Sequence, residues 1–126
     1  MNPYHRKLPD ERKAIIHKFE IEGGHDVYIN TGMHEDGSLG EVFITYAKTG
    51  SSVSGTWDFA SIALSTGFQY GVPLKELAQK YINMQFEPYG RTSNPEIPYA
   101  KSIPDYIFRW LGKKFLSHED CVELGI

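Results

Sequence analysis

The sequence predicts an α+β fold, a two-layer arrangement in which a three-stranded antiparallel meander packs against three helices. Two changes of rhythm along the chain predict it. From Ala14 to Ala47 apolar and polar residues alternate, as half-buried strands require. After Gly50 apolar residues recur at the spacing of an amphipathic helix. The length of 126 residues adds that one ordinary domain is enough to hold these elements.

Residues 1–13 are polar, contain Pro3 and Pro9, and read as a flexible N-terminal arm ahead of a single domain over 14–126. In the first strand Ile15, Phe19 and Ile21 share one parity until Gly23-Gly24 breaks the run. The second strand sets Val27, Ile29, Thr31 and Met33 on one face, with Tyr28 and Asn30 on the other. Glu35-Asp36-Gly37 is a hairpin signal, because glycine accepts the positive φ of a tight turn. The third strand runs from Glu41 to Ala47, where Val42, Ile44 and Tyr46 alternate with Phe43 and Thr45.

The first helix carries Val53, Trp57, Ala60, Leu64 and Phe68 on one face and stops at Gly71. Pro73 suits the first turn of a second helix, whose buried stripe is Leu74, Leu77, Ala78, Tyr81 and Ile82. Residues 85–101 hold Pro88, Pro95 and Pro98 and predict a long loop without regular structure. Ser102 caps the third helix, with Asp105 in its first turn and Ile107, Phe108, Leu111 and Phe115 facing the core. Ser117 repeats the capping pattern before a short terminal turn.

Composition excludes several function classes. The net charge of −3 lacks the basic excess that phosphate neutralisation demands of a nucleic-acid binder. No apolar run is long enough to span a bilayer, and the N-terminus has no signal-peptide core. A lone cysteine, Cys121, permits no internal disulfide, which suits a reducing, cytoplasmic setting. His5, His17, His25, His34 and His118 are scattered without metal-ligand spacing, so no metal site is expected. No catalytic residue is assigned, since Asp58, His25 and Glu87 are not paired by any motif.

Three places are candidates for binding. Gly50 to Gly55 leaves a strand and opens a helix, where free backbone N–H groups attract anions; Ser51, Ser52, Ser54 and Gly55 would line such a site. In the loop, Phe86, Tyr89, Arg91 and Asn94 combine rings for stacking with a cation and an amide, a mixture suited to a small molecule of nucleotide type. Tyr106, Arg109 and Trp110 lie off the expected core face of the third helix and form a candidate interface, for self-association into a homo-oligomer or for docking to a larger protein.

Several strings taken together carry a family resemblance: LPDERKAIIHKF (8–19), GEVFITYAKTGSSVSG (40–55), FQYGVPLKELAQKY (68–81), FEPYGRTSNPEIPYAKSIPDYIFRWLGKKFL (86–116) and the tail LSHEDCVELGI. They resemble, in order and over nearly the whole chain, the C-terminal region of adenosylcobalamin-dependent (class II) ribonucleotide reductases, the so-called TSCPD domain. The naming motif aligns with Lys101-Ser102-Ile103-Pro104-Asp105. Ile103 stands where the motif has cysteine, so the resemblance carries no metal or thiol role to this chain. The reductase reaction needs a radical cysteine, a reducing cysteine pair and a large barrel, which one cysteine in 126 residues does not supply. The resemblance therefore implies an accessory or binding domain with no cofactor of its own. Its implied partner is a reductase catalytic chain or a nucleotide-like small molecule.

Overall fold

The structure, a computed structural model, describes residues 4–126. The first three residues of the expected arm lie outside the described residues. The α+β class holds: an antiparallel sheet in the order β1-β2-β3 is packed against helices. Its strands are β1 (Ala14–Ile21), β2 (His25–Met33) and β3 (Leu39–Tyr46). The chain divides into two compact units. One holds the residues up to Lys18 with Asp26–Val72, the other Phe19–His25 with Pro73–Ile126.

In the first unit the register pairs Ile29 with Ile44 and Thr31 with Val42, and all four side chains are buried. The parity read from the sequence is the parity observed. α1 (Ser51–Gln69) packs along β3. Its inner face differs from the apolar stripe that periodicity predicts. Ser61, Ser65 and Phe68 are buried, Trp57, Ala60 and Leu64 are half-buried, and Val53 is exposed.

The reason is the edge of the sheet. β3 is a terminal strand, so the N–H and C=O groups that point away from β2 have no strand to meet. Ser65 supplies the partner: its Oγ accepts from Val42 N at 2.9 Å and donates to Val42 O at 3.0 Å. Ser61 Oγ accepts from Ile44 N at 2.9 Å and donates to Trp57 O at 2.7 Å within its own helix. Two buried serines thus act as a surrogate strand.

The N-terminal stretch is bonded within this unit. Arg6 N donates to Gln69 O at 2.8 Å, and the His5 ring stacks on Tyr70 with centroids 4.6 Å apart. The Arg6 guanidinium pairs with Asp36 at 2.9 Å and donates to Ser38 Oγ at 3.0 Å. Arg12 pairs with Glu41 at 2.5 Å, and Leu8 lies over Gly40, where an added Cβ would collide with it.

The second unit holds α2 (Leu74–Tyr81), the two-residue strands β4 (Gly90–Arg91) and β5 (Tyr99–Ala100), α3 (Ile103–Phe115) and α4 (His118–Leu124). Two expectations are corrected here. The proline-rich stretch is not free of regular structure, because β4 and β5 pair antiparallel. Pro95 and Pro98 fall in the connecting turn, where no strand donor is lost, and Asn94 closes that turn by accepting from Glu96 N at 3.0 Å. There are also four helices among the described residues, not three. Ser117 Oγ caps α4 at Asp120 N (3.1 Å), Gly125 ends it at φ 76°, and Lys75 of α2 grips it through Asp120 at 3.0 Å and Glu123 at 2.5 Å.

The core of this unit forms on α3, where Phe19 stacks on Tyr106 at 3.7 Å between centroids and Tyr81 meets Phe108 at 5.1 Å.

Replacing Ser65 by alanine strands a buried donor and a buried acceptor of Val42. We expect a loss of about 2–4 kcal/mol in urea unfolding, with a smaller loss of about 1–3 kcal/mol for Ser61→Ala, which strands one donor. Equal, near-zero losses would refute the edge-pairing role.

Candidate functional site

Ser51, Ser52, Ser54 and Gly55 occupy the first turn of α1 and are all exposed. Gly50 caps the helix without a side-chain hydrogen bond, and the first turn has no acidic residue. A Cβ added at Gly50 or Gly55 would meet nothing within 4 Å, so no wall encloses an anion there. These serines belong to the first unit, whereas the loop and third-helix candidates belong to the second.

The ribbon of β4 and β5 brings other groups together. Gly90 faces Ala100 and Arg91 faces Tyr99 across the pair. Gly90 and Ala100 are buried, so strand alternation turns Tyr89, Arg91 and Tyr99 outward, and all three are exposed. Phe86, 44% exposed, joins the ribbon through its N–H, which donates to Lys101 O at 3.2 Å. The Arg91 guanidinium has no hydrogen-bond or ion-pair partner among the described residues. Its backbone is held instead by Glu22, whose Oε1 accepts from Arg91 N at 3.1 Å. The same carboxylate lies over Gly90, at φ 143°, where an added Cβ would come within 2.5 Å of it. Asn94 turns inward and donates to the Tyr106 hydroxyl at 3.0 Å. Three of the four loop candidates therefore share an outward surface, and the fourth is a structural brace.

The expected interface on α3 is corrected. Tyr106 is fully buried against Phe19, its hydroxyl pKa pushed up by that burial, and Trp110 is buried as well. The Arg109 guanidinium is spent inside the unit, on Asp105 at 2.9 Å, Asn83 Oδ1 at 2.8 Å and Gly125 O at 3.3 Å. The helix buries a wider arc than the periodicity of its aliphatic residues suggests.

Sequence reading missed Asn83 and Tyr99, and missed what Asp105 does. Ser102 Oγ accepts from Asp105 N at 3.1 Å, as its capping position predicts, and donates to Met84 O at 2.7 Å. Asp105, 1% exposed, accepts from Asn83 N at 2.7 Å and Arg109 Nε at 2.9 Å on one oxygen, and from Lys101 N at 3.0 Å on the other. Asn83, at φ 76°, accepts in turn from Lys101 Nζ at 3.1 Å. The polar groups of Lys101–Asp105 are thus consumed in fastening a loop.

Tyr99, Lys101, Arg109 and Lys113 also border a shallow cleft of about 280 Å³, with Glu96 at its rim. In the first unit a cleft of about 420 Å³ is bordered by Arg12, Lys13, His34 and Asp36. His34 is held below its ordinary pKa by burial and by Arg6, with Asp36 opposing. Hydrogen bonds from Ser38 and then the Arg6 charge hold Asp36 well below the usual carboxylate range. No group of His, Cys, Asp and Glu among the described residues is disposed to hold a metal ion, and no described helix is long and apolar enough to cross a membrane.

Comparison with known proteins adds the family. A family model described as the TSCPD domain matches residues 3–115. A vitamin B12-dependent ribonucleotide reductase of Rhodopirellula baltica is 48% identical over 118 residues, 94% of this chain and 11% of the relative. The reductase of the same name from Streptomyces avermitilis is 44% identical over 98% of this chain and 13% of its own length. That of Bradyrhizobium diazoefficiens is 44% identical over 94% of this chain and 9% of its own. The chain thus spans about a tenth of the length of these curated relatives. No solved structure gave a significant match.

Two measurements check the electrostatics. Asp105→Ala takes the acceptor from Arg109 Nε and from the backbone N–H groups of Asn83 and Lys101 and should cost about 3–5 kcal/mol in denaturant unfolding. Because the folded state disfavours protonated His34, the unfolded chain binds the extra proton as pH falls below the ordinary 6.5. Stability should therefore decline from pH 7 toward pH 5, and His34→Gln should flatten that decline in a pH series of melting curves.

Proposed function

The chain belongs to the TSCPD domain family, and from that premise we propose that it is a non-catalytic accessory module of an adenosylcobalamin-dependent ribonucleotide reductase. One observation carries the reading: 94–98% of the chain matches reductases of which it covers only 9–13%. Two features of the chain support it. Its motif residues Ser102 and Asp105 are engaged in internal hydrogen bonds. Its single cysteine, Cys121, is part-buried and directs its thiol at Gly112 O, 3.4 Å away. The cobalamin of the relatives is given no residue here, and the work of the module is to hold a partner in a cytoplasmic, reducing setting.

The test is a pull-down of a class II reductase catalytic chain whose own TSCPD segment has been deleted, followed by its turnover assay. Capture at tens of micromolar, with a change in turnover, is the expected result. Absence of a complex, or ribonucleotide reduction by the 126-residue chain alone, would overturn the reading.

A second reading, a small-molecule binder of nucleotide type, is favoured by the outward surface of Phe86, Tyr89, Arg91 and Tyr99. Rings there can stack on a base while Arg91 meets a phosphate. Isothermal calorimetry with nucleoside mono-, di- and triphosphates decides it. Arg91→Ala and Tyr99→Ala should each abolish any heat of binding without moving the melting temperature, and a silent panel removes the reading.

A further inference from the structure

His34 opens the turn between β2 and β3, and it is only 6% exposed. Its Nε2 lies 2.9 Å from where a Gly40 Cβ would sit, and Leu8 of the N-terminal stretch crowds the same spot. Neither ring nitrogen has a hydrogen-bond partner among the described residues. A neutral imidazole tolerates such a place. An imidazolium, with two N–H donors and a charge to hydrate, does not.

The charges around the ring supply no acceptor. The N-terminal stretch brings the cations Arg6, Arg12 and Lys13, with the exposed Glu11 beside the cleft. In the turn, Asp36 is already bonded through both oxygens, one to Ser38 and the other to Arg6, and Glu35 is exposed. Glu41 of β3 is paired with Arg12. The end of α1 meets the stretch through Gln69 and Tyr70, which carry no charge. A proton on His34 is therefore best accommodated by letting water reach the ring.

Of the two covers, the β2–β3 turn is fixed by the ladder behind it, whereas residues 5–9 are fastened by few bonds. These are the Arg6 N bond to Gln69 O, the His5 ring against Tyr70 and Gln69, and the exposed Arg6–Asp36 pair, a kind of contact that stabilises little. We propose that residues 5–9 form a strap over His34 that is closed at neutral pH and released when the ring takes a proton. The closed strap favours the neutral ring, and the open strap lets it titrate near its ordinary 6.5. The opening equilibrium constant therefore rises as pH falls below 6.5, by up to about tenfold per pH unit, and levels off below the depressed value of the closed state. The other fastenings persist through that window. Asp36 is held well below the usual carboxylate range, and His5 donates to Gln69 Oε1 at 3.0 Å in either charge state. Release uncovers Gly40 and the shifted register beside Gly32 and Met33.

Amide hydrogen exchange read by NMR on the intact chain from pH 7 to pH 5, corrected for the intrinsic pH dependence of exchange, tests this. Protection of the Arg6 amide should fall about tenfold while that of Ile29, inside the sheet, holds. His34→Gln keeps the side chain neutral and should leave Arg6 protection level across the range. A second measurement does not depend on that variant folding. Leu8→Ala thins the cover without changing charge, so by reciprocity the His34 ring titration should move up toward 6.5. Arg6 protection that is flat in the parent, or that falls equally in His34→Gln, overturns the proposal. So does a fall at Arg6 and Ile29 in step, which marks global unfolding, or a His34 titration that Leu8→Ala leaves in place.

Discussion

The fold of the first unit depends on one constraint, the unpaired edge of β3. A three-stranded sheet leaves backbone donors and acceptors facing outward on each terminal strand, and a buried one must be matched. Here the match comes from Ser61 and Ser65 of α1, whose hydroxyls reach Val42 and Ile44 at about hydrogen-bond contact (2.9–3.0 Å). That requirement sets the rotation of the helix about its own axis. The serines must face the strand, and Phe68 with the half-buried Trp57 and Leu64 lies beside them on the inner face. Phe59 and Ile62 are then left on the far side. The exposed apolar face is a consequence of satisfying the backbone first.

This also explains which parts of the fold were legible in the sequence. The strands were legible because a buried face enforces strict alternation, and Val27, Ile29, Val42 and Ile44 obey it. The cap of α3 was legible because Ser102 and Asp105 stand at the required spacing. The inner face of α1 was misread because apolar periodicity cannot recognise a serine that is buried for its hydroxyl. The β4–β5 ribbon was masked by Pro95 and Pro98, which suggest loop over the whole interval although they sit only in its turn. α4 was short enough to pass for a turn, since its hold on α2 comes from Lys75, far away in sequence.

The candidate site divides along similar lines. Tyr89 and Arg91 were identifiable from residue type alone, but the pairing of Arg91 with Tyr99 needs the register, which no local pattern displays. Asn94 and Tyr106 looked like surface groups and turned out to brace one another. The motif residues Ser102 and Asp105 explain their own presence: one hydroxyl and one carboxylate close the loop that follows α2, tie it to the start of α3 and anchor Arg109. Ile103, between them in sequence, is buried as a core residue. In this chain Ser102 and Asp105 latch that loop to the start of α3.

The mixed polarity of α1 has a practical consequence for protein engineering. A redesign guided by hydropathy would make positions 61 and 65 aliphatic and positions 59 and 62 hydrophilic, and every pattern score would improve. The first change would orphan the backbone of β3. The second would erase the exposed apolar pair Phe59 and Ile62. Stabilising substitutions in proteins built this way are better sought in the loops, with the serines of the helix left untouched.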